Sequence, residues 1–245
     1  LGNRKHGLGF NAVNEQLGPT TQTFVDISYS FQVEFENDVF LSFGLDAGGS
    51  FLNVDFSKGT FENPGEPILD AETINEFTPT VGAGLFLYQT NWYVGLSVPN
   101  FLTDGLYSDE AAQVVEDQMQ YNLIGGYVFQ LNDNLKFKPA FLVNYIQGAP
   151  VNGNISTSFL LNDVFTLGAA YRFDNAVSGL AGFQISSSLF LGYAYDYNVN
   201  GLGGYNSGSH EAIIKFFLGK GGSGDKRDKK SKKGKGKQID SPRFF

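Results

Sequence analysis

Residues 23–35 read Thr23-Phe24-Val25-Asp26-Ile27-Ser28-Tyr29-Ser30-Phe31-Gln32-Val33-Glu34-Phe35. Val25, Ile27, Tyr29, Phe31, Val33 and Phe35 fall on one parity, and Phe24, Asp26, Ser28, Ser30, Gln32 and Glu34 fall on the other. Successive side chains of an extended chain point to opposite faces, so the stretch is a strand with one apolar and one largely polar face. The rhythm returns at 164–174, where Phe165, Leu167, Ala169, Tyr171 and Phe173 alternate with Thr166, Gly168, Ala170, Arg172 and Asp174. It returns again at 189–199, with Leu189, Leu191, Tyr193, Tyr195, Tyr197 and Val199 on one side. Working outward from these, twelve segments carry the pattern: 7–16, 19–35, 38–56, 78–90, 91–101, 119–131, 134–147, 152–162, 164–174, 177–187, 188–199 and 209–219. Many reach the length of about ten residues that crosses a bilayer when a strand is tilted in a barrel wall.

The connections divide by parity. After even-numbered segments they are short: Glu36-Asn37-Asp38, Thr90-Asn91, Asn132-Asp133-Asn134, Asn162-Asp163 and Ser187-Ser188. Asn and Asp accept the left-handed backbone that tight hairpins need. After odd-numbered segments some are long: 57–77, 103–118 and 200–208. Short periplasmic turns and longer external loops are the signature of an outer-membrane β-barrel, whereas a sandwich has no reason to keep long loops on one side. Parity also puts the chain's end on the short-turn, periplasmic side. The competing reading is a soluble β-sandwich or jelly roll, whose strands alternate too. Against it stand the strand lengths, beyond the usual five or six residues, and the near-unbroken run of hairpins.

Composition agrees with the barrel. The 245 residues include 31 Gly, 24 Phe and 12 Tyr, with one Met and no Cys. Aromatics suit a pleated surface, and Gly weakens helices. No run of eighteen apolar residues is present, so no transmembrane helix is expected. The mean hydropathy of −0.15 suits a barrel, in which only every second strand residue meets lipid. Without Cys, neither disulfides nor thiolate metal sites enter. The chain opens at Leu1 with no visible export signal, which fits a processed or truncated chain.

Charge splits the chain near Gly219. Ten Lys and Arg against three Asp make residues 220–245 +7, leaving −15 for the remainder of a chain whose total is −8. Two domains are therefore expected: a barrel over 1–219 and a Lys/Gly-rich tail over 220–245 with almost nothing apolar to bury. The tail ends in Ser241-Pro242-Arg243-Phe244-Phe245, where an Arg and an aromatic pair behind a Pro have the chemistry of a docking peptide.

Catalytic and metal signals are weak. The histidines are His6 and His210, the latter within Ser209-His210-Glu211. Adjacent strand residues point to opposite faces, so Ser209 and His210 cannot share a proton. Gly201-Leu202-Gly203-Gly204 and the Gly-rich run from Gly219 to Gly224 match no phosphate loop and sit before no helix. Asp55, Glu62, Glu66, Asp70, Glu72 and Glu76 make the first long loop acidic without EF-hand spacing. Asp26, Asp46, Lys136, Lys138, Arg172, Asp196 and Lys215 fall on the expected inner face and imply a polar lumen, read as a structural ladder ahead of a selectivity filter. Trp92, Tyr93, Tyr107, Tyr121 and Tyr145 lie near segment ends, as interfacial girdle residues do. No enzyme activity, no cofactor and no nucleic-acid partner are expected.

Several stretches are shared with one family. They are His6-Gly7-Leu8-Gly9 with Asn14-Glu15-Gln16-Leu17-Gly18-Pro19; Pro79-Thr80-Val81-Gly82-Ala83-Gly84-Leu85 with Asn91-Trp92-Tyr93-Val94-Gly95-Leu96-Ser97-Val98-Pro99-Asn100; Lys138-Pro139-Ala140; Tyr171-Arg172; Gly192-Tyr193-Ala194-Tyr195-Asp196; Gly208-Ser209-His210-Glu211; and the closing Ser241–Phe245. In order and spacing the chain resembles the PorP/SprF outer-membrane proteins of type IX secretion and gliding motility in Bacteroidetes. The resemblance implies a barrel of about fourteen strands, of which this chain would lack the first two and the export signal. It also implies a non-enzymatic role in exporting and retaining surface proteins, such as adhesins with a C-terminal sorting domain, through the external loops. Periplasmic secretion or motility components would meet the tail. The rival functions are an outer-membrane pore or hydrophobic-ligand channel, an outer-membrane enzyme, and a soluble interaction module.

Overall fold

A computed structural model describes residues 5–58, 73–102, 118–200 and 207–217. The elements in chain order are β1 (His6–Leu17), β2 (Thr20–Glu34), β3 (Phe40–Asp55), β4 (Thr73–Tyr88), β5 (Trp92–Val98), β6 (Gln120–Tyr127), β7 (Phe129–Asn132), β8 (Leu135–Ile146), β9 (Asn152–Leu161), β10 (Phe165–Arg172), β11 (Ala176–Ser186), β12 (Leu189–Asn198) and β13 (Ser209–Phe216). Short 3-10 turns occupy Glu36–Asp38 and Phe56–Lys58. All twelve expected segments are strands. The sixth breaks at Val128 into β6 and β7, and both pair with β8. No described helix is long and apolar enough to cross a membrane.

The strands form one antiparallel sheet in the order β1-β2-β3-β4-β5-β6-β8-β9-β10-β11-β12-β13, with β7 beside β8 off this path. Such an order sends successive connections to opposite ends. At one end every connection is a tight turn. Asn37, Asp38, Asn162 and Asp163 there have φ between 53° and 62°, the left-handed region that Asn and Asp tolerate. At the Asn132–Asn134 turn the Asn132 side chain accepts the Asn134 N–H at 2.9 Å. The long connections lie at the other end. Phe216 pairs with Leu189 beside the 187–188 turn, so the chain leaves the sheet at the short-turn end.

The registers assign every strand residue to a face. Phe24, Asp26 and Ser28 of β2 share a side with Gly48 and Asp46 of β3, and with Thr80 and Gly82 of β4. That side continues through Tyr93, Lys138, Thr166, Ser178 and Asp196. Every buried side chain among the described residues, from Ser50 and Leu52 to Ala194 and Asp196, lies on this face. A single sheet can bury one face only by curling around it, so this is the interior of a barrel. The opposite face carries Leu8, Phe10, Ile27, Leu45, Phe51, Phe77, Leu96, Phe141, Phe159, Tyr193 and Ile214, all exposed. A water-soluble sandwich would hide these between two sheets. Here they form the outer surface of one sheet, and the protein is an antiparallel transmembrane β-barrel. β1 and β13 are the ends of the pairing path, and no ladder joins them among the described residues.

Glycines and rings pack against one another across strands. A β-carbon on outward Gly125 would meet the Phe141 ring at 2.5 Å, and one on inward Gly126 would meet the Tyr93 ring at 2.7 Å. Each ring covers bare backbone on the neighbouring strand, which explains why the chain is rich in both residue types.

Candidate functional site

The interior is the first surface on which a function could rest. The seven charged residues assigned to it from sequence (Asp26, Asp46, Lys136, Lys138, Arg172, Asp196 and Lys215) all face inward. They are unevenly distributed. Inward charges on β1–β4 are all acidic: Glu15, Asp26, Glu34, Asp46 and Glu76. All the inward cations, Lys136, Lys138, Arg172 and Lys215, stand on β8, β10 and β13, with Asp196 and Glu211 among them.

Short polar contacts tie the acidic wall together. Ser28 donates to Asp46 at 2.5 Å, Thr80 donates to Asp26 at 3.0 Å and Gln22 donates to Ser50 at 2.8 Å. On the basic wall Lys138 Nζ lies 5.4 Å from the centre of the Tyr93 ring, and Lys215 Nζ lies 5.5 Å from that of Phe190, distances at which a ring face attracts a cation. Arg172 Nη2 stands 3.6 Å from Asp196 Oδ2, and Lys136 bridges to Asp163 at 2.5 Å.

Much of this lattice is out of water. Asp196 is 7% exposed and Lys138 9%. Among the described residues, Thr78 Oγ1 and Asp196 Oδ1 are buried without a hydrogen-bond partner. An unpaired buried hydroxyl costs its full desolvation, so Thr78→Val, which keeps the shape and removes the hydroxyl, is expected to stabilise the barrel by about 1 kcal/mol. Urea unfolding in micelles reads this directly; a loss of stability would mean that Thr78 Oγ1 is hydrated.

Ser209 and His210 lie on opposite faces, as the strand period requires. Ser209 pairs with Asp196 on the inner side, while His210 pairs with Tyr195 on the outer side and bonds to the Tyr193 hydroxyl at 2.5 Å. His6 is also outward, 2.7 Å from the Tyr29 hydroxyl. Among the described residues no three His, Asp or Glu come together as a metal site. Tyr121 and Tyr145 form an outward pair with ring centres 6.1 Å apart, and Trp92 is likewise outward. Tyr93 corrects the girdle assignment: it is the residue after Trp92, so it points inward and lies under Lys138. Tyr107 lies outside the described residues.

The first long loop is also shorter than expected, because β4 already begins at Thr73. Residues 59–72, 103–117 and 201–206 of the three long connections lie outside the described residues. So do the Gly219–Gly224 run and the tail with Ser241, Pro242, Arg243, Phe244 and Phe245. Of the acidic loop residues, Asp55 is described and caps its own turn, accepting the Ser57 N–H at 3.1 Å. Glu76 faces inward from β4.

The profile of the family described as "Type IX secretion system membrane protein PorP/SprF" matches residues 1–216. The chain belongs to the PorP/SprF family. The match spans β1 to β13, so the whole described sheet is the family's domain and not an appendage to it. This PorP/SprF barrel is therefore an outer-membrane component of the type IX secretion and gliding system. Among curated proteins none matches the chain.

Proposed function

We propose that this PorP/SprF barrel is a rigid, non-enzymatic frame in the outer membrane that supports export and surface anchoring of partner proteins, such as adhesins with a C-terminal sorting domain. The observation that carries this reading is the one-sided burial: every buried side chain among the described residues faces the interior, so the barrel is braced from within and holds its rim stiff. In this arrangement the end with the connections 59–72, 103–117 and 201–206 faces outside and offers a docking surface. The tail leaves at the opposite, periplasmic end, where its ten basic residues meet secretion or motility components and Ser241–Phe245 acts as the docking peptide. The test is a crosslinked pull-down from native outer membranes, read by mass. A surface adhesin together with periplasmic components supports the frame; recovery of the barrel alone contradicts it. Deleting 220–245 is expected to leave the barrel folded in the membrane and to remove the periplasmic components from the pull-down. Unchanged association would refute the role of the tail.

A second reading, an outer-membrane pore or hydrophobic-ligand channel, draws on the inward charges of β1–β4 and of β8–β13, since charged side chains also line water-filled channels. Planar-bilayer recording separates the two. The frame gives little current, whereas large stable currents would make it a pore.

A further inference from the structure

The outer face changes character along β1–β4. Read from the short-turn end, outward residues of β3 run Leu41, Phe43, Leu45, Ala47, Gly49 and Phe51, then turn polar at Asn53. Those of β4 run Leu87, Leu85, Ala83, Val81, Pro79 and Phe77, then turn polar at Asn75. Each apolar run covers eleven residues, 41–51 and 77–87, the length of about 9–11 that spans the hydrocarbon core when tilted. Phe51 and Phe77 close the band as a ring pair with centres 4.8 Å apart. Beyond it the polarity reverses. Leu52, Val54 and Ile74, on the inner face, form a buried apolar cluster, while the outer face is polar. The strands therefore continue past the hydrocarbon into the headgroup layer.

The outward side chains next to the band fall in two rows, with Asp55 and Thr73 beyond them. Gln16, Thr21, Asn53 and Asn75 pair strand to strand in the upper row. Asn14 and Thr23 sit below, beside the Phe51–Phe77 rings. At the usual strand spacing a row of four is roughly 14 Å wide. All six polar groups are neutral. A phosphate site would be built from Arg, Lys or converging N–H groups, and the nearest outward charge is the acid Asp55, one register step further out. Asn53 donates to Asn75 and Thr23 donates to Asn14, both at 2.8 Å, which fixes the carboxamides while leaving further donor and acceptor positions on each. Carboxamides and hydroxyls that offer both donors and acceptors, above an apolar ring pair, match the hydroxyl edges and C–H faces of sugars.

We infer that this face of β1–β4 binds the sugar headgroup of an outer-leaflet glycolipid, whose acyl chains continue onto the apolar band directly below. The inference rests on the proposed orientation, with the long-loop end outside, and on the continuity of the patch with the lipid-facing surface.

The test uses the full chain purified from native outer membranes in mild detergent, with bound lipid measured by intact-complex mass spectrometry. The wild type is expected to retain glycolipid. The Asn14→Ala/Asn53→Ala/Asn75→Ala variant should lose it by roughly tenfold, with phospholipid retention and β-sheet content unchanged. Equal glycolipid on both proteins, or a bound polypeptide in its place, would overturn the inference. Asn53→Cys in intact cells separates this from the orientation: the chain has no Cys of its own, so a membrane-impermeant maleimide reports one site. Labelling of intact cells with no glycolipid difference defeats the inference alone. Labelling only after permeabilisation defeats the orientation, and the inference with it.

Discussion

Leu45→Arg is expected to destabilise the barrel in lipid by about 2–4 kcal/mol, the cost of a cation on the lipid face near the midplane. Leu45 is 63% exposed, so on a soluble protein the same change would fall within about 0.5 kcal/mol of neutral. The difference lies in the solvent: hydrocarbon cannot hydrate a guanidinium, and Leu45 sits at the centre of the 41–51 apolar run. Asn53→Arg, eight residues along the same face, is expected to cost about 0–1 kcal/mol, because it stands at the interface. Folding into lipid vesicles from urea gives both values. A cost that is large at 45 and small at 53 identifies the membrane face and its upper boundary together. Equal, small costs would place this face in water.

Arg172→Met should have the next largest effect, about 3 kcal/mol of lost stability. Asp196 is buried, its Oδ1 makes no hydrogen bond among the described residues, and the Arg172 guanidinium 3.6 Å from Oδ2 is its countercharge. Removing the cation strands a carboxylate in a poorly hydrated interior. Arg172 is about a third exposed, which keeps the expected value at the lower end of what breaking a buried pair costs. Adding Asp196→Asn should recover most of the loss, because the uncompensated charge is gone. A change below about 0.5 kcal/mol in Arg172→Met would mean that water reaches Asp196, which is the behaviour of an open pore and not of a braced frame.

Both faces of the barrel were legible in the alternation itself, because a two-residue period allows no other assignment once the strand is recognised. Asp26, Asp46, Lys136, Lys138, Arg172, Asp196 and Lys215 all went to the interior by parity, and the separation of Ser209 from His210 followed from the same rule. The start of β4 was not legible. Thr73-Ile74-Asn75-Glu76 keeps the period, but its apolar residue Ile74 points inward and its outward neighbours are polar, so it lacks the lipid-facing signature and resembles loop. The hidden start of β4 and the headgroup-level patch have one cause, the polarity reversal where strands outgrow the bilayer. Tyr93 lies near a segment end, which suggests a girdle position, but its parity, opposite to that of Trp92, puts it inside. The uneven division of inward charge was not visible until the registers put β1–β4 and β8–β13 on separate walls.

The absence of cysteine makes one measurement especially direct: a single-cysteine nitroxide scan along residues 40–55 in lipid vesicles, reading collisions with oxygen and with a water-soluble nickel complex. Oxygen accessibility should peak at odd positions 41 to 51, fall at the even positions between them, and give way to nickel accessibility at 53 and 55. Odd positions that collide chiefly with the nickel complex, or that reach neither reagent because a second protein layer covers them, would contradict a lipid-facing barrel wall.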